Sequence, residues 1–148
     1  MPMEYTFAMI KPDAVVQDAW LKIMKTYEAA GLAIVDSMIF ASMPVALAKE
    51  LYREHFGKLY YNDLLGFITA GPVVVMMIYG EDAVKAVRNL NGATKPEDWA
   101  EGTIRKRFGT DLMQNAVHGS DSTLAAAREL EIFFPGPRDL PDAEDPAQ

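Results

Sequence analysis

Apolar residues recur along this chain with two periods. Between Trp20 and Ala30, the residues Trp20, Ile23, Met24 and Tyr27 fall at helical spacing, and Gly31 stands where a helix-terminating glycine belongs. The segments Tyr5–Ile10, Leu32–Ala41 and Val73–Tyr79 are short apolar runs of strand length, and the third is bounded by glycines. Ser42 and Pro44 predict the start of a helix that runs to about Tyr52, and a second short helix fits Asn62–Thr69. Glu81 and Asp82 predict another helix start, ending near the sequence NLNG. A long polar connection, NGATKPEDWAEG, follows. A loop this long inside a compact domain is more often functional than incidental. TIRKRFG reads as a short helical turn and NAV, from Asn115 to Val117, as a fourth short strand. Ser120 to Ser122 offer N-cap chemistry for a last helix, with an apolar stripe of Ala126, Ala127, Leu130, Phe133 and Phe134. The predicted order is strand-helix-strand, a helical hairpin, then strand-helix-strand. A parallel doubly wound sheet fits that order, and so does a split βαβ, ferredoxin-like arrangement. Spacing alone leaves both open.

Composition narrows the class. The chain has 148 residues, half of them apolar, which suits one compact domain. No apolar run approaches the roughly 18–20 residues that cross a bilayer, and MPMEYTF lacks the basic-then-apolar pattern of a signal peptide. Cysteine is absent, which removes disulfides, thiolate chemistry and Cys-ligated zinc and fits a cytoplasmic location. The net charge of −7 opposes a main role in coating nucleic acid. The charge is uneven, however. Arg105, Lys106 and Arg107 stand together, whereas the residues after Arg138 are acidic and proline-rich. A basic site on an acidic body suits a small anionic ligand. The expected organisation is a single domain over 1–138 and a mobile tail over 139–148.

The common nucleotide cradles are missing. Gly57-Lys58 has Tyr52 in place of the first P-loop glycine and Leu59 after the lysine, and no two glycines are spaced two apart. His55 and His118 share no metal-ligand spacing. His118, in NAVHGSDS, could simply hydrogen-bond a loop. Yet Ser122, Ala125 and Glu129 lie on one stripe of the last helix, so Glu129 can reach back to the imidazole and hold one of its nitrogens. A carboxylate-oriented imidazole can act as a nucleophile. Lys11 ends the first strand in IKPD, and Arg88 and Arg105 flank the loop that holds Thr94. Tyr60 or Tyr61 could be core, or one could be a platform for a flat ligand. Taken singly, each of these has an ordinary surface or core reading.

Taken together, NAVHGSDS, IKPD, AGPVV and EGTIRKRFG closely resemble the nucleoside diphosphate kinase family, in the right order from Tyr5 to about Phe134. The resemblance implies a ferredoxin-like αβ sandwich of class α+β, with a four-stranded antiparallel sheet and an inserted helical hairpin. It also implies transfer of the γ-phosphate of a nucleoside triphosphate, usually ATP, to a nucleoside diphosphate, through a phosphohistidine and with Mg²⁺ carried mainly on the nucleotide phosphates. By resemblance, His118 is the nucleophile, Glu129 and Ser120 are its hydrogen-bonding neighbours, and Tyr52 lies beside it. Lys11 matches the lysine on the sugar hydroxyl and terminal phosphate, and Asn115 the sugar-binding asparagine. His55, Arg88, Thr94 and Arg105 match the phosphate set, and Tyr60 and Leu112 the two faces that sandwich the base. The resemblance also implies a homo-oligomer built from dimers, either a hexamer or a tetramer. The long loop with Pro96 favours a homo-hexamer over a tetramer. The chain departs from the family pattern at Lys58-Leu59-Tyr60, at Asp13-Ala14 and along VVQDAWLK. A non-catalytic nucleotide-binding relative, a nucleic-acid binder using Arg105-Lys106-Arg107, and a structural oligomer are the rival readings.

Overall fold

The computed structural model describes residues 2–138, so the predicted tail at 139–148 lies outside it. The sheet is built from β1 (Met3–Ile10), β2 (Ala33–Phe40), β3 (Val73–Glu81) and β4 (Val117–Gly119) in the order β2-β3-β1-β4. All three pairings are antiparallel. This settles the choice between the two arrangements in favour of the ferredoxin-like one and excludes the parallel sheet.

β1 is central, so its residues are buried on both faces. Ala8 and Ile10 join Val74, Met76 and Ile78 in one core; Phe7 and Met9 join Val73 and Val75 in the other. The first core is covered by α2 (Trp20–Ala29) and α5 (Ala83–Asn91), which contribute Ile23, Tyr27 and Val87. The second is covered by α3 (Val45–Leu51), α4 (Tyr61–Thr69) and α7 (Thr123–Phe133), with Leu51, Leu64, Ile68, Leu130 and Phe133 facing inward. Period-2 alternation on β1 and β3 therefore serves two apolar faces, which is why both strands read as continuous hydrophobic runs.

α2 stops as the sequence predicts. Gly31, at φ 90°, donates to Glu28 O (3.0 Å) and Leu32 donates to Tyr27 O (3.2 Å). These are the two reversed bonds of a Schellman motif, whose left-handed residue glycine tolerates best. Ser122 caps α7 by accepting from the backbone N–H of Ala125 (3.0 Å).

Three expectations need correction, and one element was not anticipated. The fourth strand is Val117–Gly119 rather than Asn115–Val117, because the backbone turns sharply at Ala116 before pairing begins. A five-residue helix, α1 (Pro12–Val16), follows β1 at once, started by Pro12 at its first position; it is too short to show a period. Glu81 belongs to β3, and α5 opens after Asp82, which is left-handed at φ 52°. In α7 Ala127 is exposed, and Glu129 is buried beside Ala126 and Leu130. No helix among the described residues is long and apolar enough to cross a membrane.

Candidate active site

β4, α7, the loop after α5 and the hairpin of α3 and α4 enclose a cleft of about 620 Å³. Its lining includes Lys11, Tyr52, His55, Tyr60, Arg88, Thr94, Arg105, Leu112, His118 and Glu129. Ten of the twelve residues singled out in the sequence thus line one cleft. The other two, Ser120 and Asn115, are buried immediately behind it. The volume lies within the range of ordinary small-molecule sites.

His118 leaves the short strand β4 with its side chain one-fifth exposed. Its Nε2 lies 2.9 Å from Oε1 of Glu129, and Ser120 Oγ donates to the same oxygen at 2.6 Å. Arg128 stands 3.6 Å from the other oxygen while its guanidinium also donates to the carbonyls of Glu50 and Leu51, tying α7 to the end of α3. Burial alone would push the Glu129 carboxyl up. The hydrogen bond and charge of His118, the Ser120 hydroxyl and Arg128 outweigh it and hold the group below its ordinary range. An ionised Glu129 accepts the proton of Nε2. That fixes the tautomer and leaves Nδ1 with its lone pair free. Tyr52 stands edge-on to the imidazole, rings 5.9 Å apart, and burial pushes its phenol up so that it stays neutral.

The cations are held by the fold itself. Arg105 opens out of α6 (Ile104–Phe108) into the interior, where NH1 donates to Gly92 O (3.0 Å) and Ala93 O (3.3 Å) and NH2 to Val117 O (2.9 Å). Its Nε–H is buried and unpartnered. Burial, then the charge of Arg88, lower its pKa, yet a guanidinium remains charged. Arg88 donates to Gly119 O at 3.2 Å and keeps its other donors free among the described residues. The basic run of the sequence is therefore not one patch: Lys106 pairs with Glu101 (3.7 Å) and Arg107 stacks on Phe108 (4.7 Å), both away from the inward-facing Arg105.

Lys11 is almost wholly buried and reaches only the Met113 carbonyl, at 3.5 Å. Burial first, then Arg105, lower its pKa to about 8 against the opposing pull of Asp13 and Asp111. Asn115 donates to Leu112 O (3.0 Å) while its Oδ1 is buried and unpartnered. Buried donors and acceptors without partners are rare in native proteins, and here Arg105 Nε and Asn115 Oδ1 accompany the cleft. At the mouth the setting changes. His55 bonds the Tyr60 hydroxyl, and Tyr60 and Leu112 are exposed.

Gly119 is required by packing: a Cβ there would sit 2.9 Å from Asn91 Nδ2 and 3.0 Å from Val87 Cγ1, so β4 could not approach α5. Sequence reasoning singled out neither Asp13 nor Ala116 as functional. It also passed over Arg128 and three carboxylates of the cleft wall: Asp111, which accepts from the Met113 and Gln114 N–H groups, and the uncommitted Glu54 and Asp121. The last two stand beside recognised positions, in YREH and HGSDS, and adjacency was the available signal. No cluster of three or more His, Cys, Asp or Glu among the described residues could hold a bare metal ion. The cleft's cations and its two uncommitted carboxylates instead fit a metal that arrives on phosphates.

A family model for nucleoside diphosphate kinase matches residues 4–138. The chain is 45% identical over 132 residues to a nucleoside diphosphate kinase of Staphylococcus epidermidis, covering 89% of this chain and 88% of that protein. It is 42% identical over 134 residues to one from Halorhodospira halophila, covering 90% and 94% respectively. A crystal structure of the Aquifex aeolicus nucleoside diphosphate kinase superposes with a TM-score of 0.86 at 36% identity, over 90% of this chain and 96% of that one. With a match over nearly its full described length and a fold to go with it, the chain belongs to the nucleoside diphosphate kinase family.

Proposed function

We propose that the chain is a nucleoside diphosphate kinase that moves the γ-phosphate of a nucleoside triphosphate, ATP in the usual case, to a nucleoside diphosphate by way of phosphorylated His118. The observation that carries this reading is the His118–Glu129–Ser120 cluster, which commits Nε2 and leaves Nδ1 as the one ring nitrogen free to react. Nδ1 attacks the γ-phosphorus. The N–P bond forms as the bond from phosphorus to the β-γ bridging oxygen breaks, and the nucleoside diphosphate leaves with the electron pair. The Nε2 proton stays where it is, and the positive charge gained by the ring is balanced by Glu129. In the second half, a terminal oxygen of the acceptor diphosphate attacks the same phosphorus and the imidazole returns.

Phosphoryl transfer needs mainly positioning and charge stabilisation at the equatorial oxygens. Arg88, Arg105, Lys11 and Thr94, with His55 nearer the mouth, supply the donors. Tyr52 packs the imidazole. Asn115 and Lys11 take the sugar hydroxyls. Tyr60 and Leu112 take the faces of the base, and stacking does not discriminate among bases because every base has a π-face. Mg²⁺ bound to the phosphates would neutralise part of their charge, and the carboxylates of Glu54 and Asp121, which line the cleft, would help to hold it there. A homo-oligomer, a hexamer in preference to a tetramer, fits an outer sheet edge at β2 that exposes Val35 and Ile39 and a long loop whose Pro96 is partly exposed. The inward turn of Arg105 weighs against a nucleic-acid interface.

Initial-rate exchange between varied donor and varied acceptor tests the reading. Parallel double-reciprocal lines are expected, since the donor's product leaves before the acceptor binds. Intersecting lines would require both nucleotides to be bound together and would overturn it.

A further inference from the structure

The backbone immediately before the nucleophile is strained, and one buried carboxylate holds it. Ala116 has φ 74°, a conformation that a non-glycine residue seldom adopts, and Val117 N–H donates back to Asn115 O at 2.9 Å. A two-residue return bond around a residue of positive φ is a rare and strained γ-turn. Ala116 is fully buried, so solvent does not stabilise the turn. Both of its backbone polar groups are gripped by the segment that follows β1: its carbonyl accepts from Lys11 N–H (2.8 Å), and its N–H donates to Asp13 Oδ2 (3.0 Å). That second contact spans 103 positions of sequence. Asp13 Oδ1 is itself buried without a partner, although an unpaired polar atom is costly to keep.

On the reading of the cleft given above, we propose that Asp13 is a positioning residue for phosphoryl transfer: its carboxylate clamps the γ-turn at Ala116 to the start of α1, and so sets Asn115 on one side and the β4 strand carrying His118 on the other. The turn is flanked by the two residues that must be placed independently, the sugar-binding Asn115 and the nucleophile two positions after Ala116. β4 is only three residues long and pairs with β1 alone, so strand pairing by itself fixes it weakly. Strain held at a functional site by surrounding contacts is the expected pattern when precise placement matters.

The test is the rate at which full-length protein takes phosphate onto His118 from ATP in a single turnover, together with the melting temperature, for three variants. Asp13→Ala removes the clamp and should slow phosphorylation on the order of 100-fold, the cost of misplacing a reacting group by about 1 Å. Asp13→Asn keeps an oxygen acceptor of the same shape and should recover most of that loss. Asp13→Ala/Ala116→Gly relieves the strain, because glycine adopts positive φ freely; it should regain melting temperature while phosphorylation stays slow. Should Asp13→Ala fail to fold, the double variant carries the comparison. Phosphorylation within threefold of wild type in Asp13→Ala, equal rates for Asp13→Asn and Asp13→Ala, or a double variant whose rate recovers in step with its melting temperature would each overturn the clamp. A wild-type chain that takes no phosphate at all would instead overturn the proposed function.

Discussion

The two ends of the cleft are built on opposite principles. At the inner end, around His118, the residues Glu129, Ser120, Arg105, Lys11, Asp13 and Asn115 are all buried, and Lys11, Asp13 and Ser120 bond backbone more than a hundred positions away in sequence. At the mouth, Tyr60 and Leu112 are exposed, and the neighbouring Phe56 and Leu59 are exposed outside the cleft, where Phe56 meets Tyr61 edge to face at 5.5 Å. Every substrate of such an enzyme presents the same phosphates and differs in its base. On the proposed reading, rigid placement is concentrated where the chemistry is invariant, and loose apolar contact where the ligand varies.

The harshest way to break this contrast is at the nucleophile. His118→Ala should lower exchange by more than about 10⁴-fold while nucleotide affinity, measured by calorimetry, stays close to wild type, since the arginines and the stacking residues do the holding. Next comes the carboxylate behind it. Glu129→Gln keeps a hydrogen-bond acceptor but removes the charge that balances the ring, and kcat should fall about 10- to 100-fold. A loss as severe as that of His118→Ala would mean that Glu129 does more than orient and compensate.

At the other end the response should differ in kind. Tyr60→Ala should raise KM on the order of tenfold, the effect of about 1–3 kcal/mol of stacking, with kcat nearly unchanged and the same ratio for purine and pyrimidine substrates. A selective loss for one base would show that the mouth reads base edges. Lys11 gives a pH handle on the buried end. With its pKa lowered to about 8 by burial and Arg105, it loses its proton as pH rises through that value, and kcat/KM should fall on the alkaline side. In Lys11→Arg the limb should leave the accessible range; its persistence would assign it to another group.

The smallest expected effect is on stability in acid. The Glu129 carboxyl lies below its ordinary value in the folded state, so its contribution is present above about pH 4.5 and is lost as pH falls through the lower folded value. The melting-temperature gap between wild type and Glu129→Gln should narrow there, and a gap that widens in acid would contradict the assignment.

What the sequence revealed follows the range of the interactions. α2 and its Gly31 stop were legible because a 3.6-residue period and a left-handed glycine are local signals. The Glu129–His118 pair was legible from a stripe on one helix. The start of β4 was not, because the turn at Ala116 is imposed by Asp13 from more than a hundred residues away. Nor could three consecutive cations show which one turns inward; the carbonyls of Gly92, Ala93 and Val117 decide that for Arg105. Ala127 was misplaced because the stripe of α7 was drawn through apolar residues, whereas the helix buries the charged Glu129.

The central claim is that phosphate passes through His118. Incubation of the full chain with γ-labelled ATP and Mg²⁺, removal of nucleotide, and intact-mass analysis before and after mild acid tests it most directly. The account predicts a single acid-labile phosphate that is absent from His118→Ala and is discharged by added nucleoside diphosphate. Exchange activity in a protein that carries no phosphate, or an adduct that survives acid or persists in His118→Ala, would contradict it.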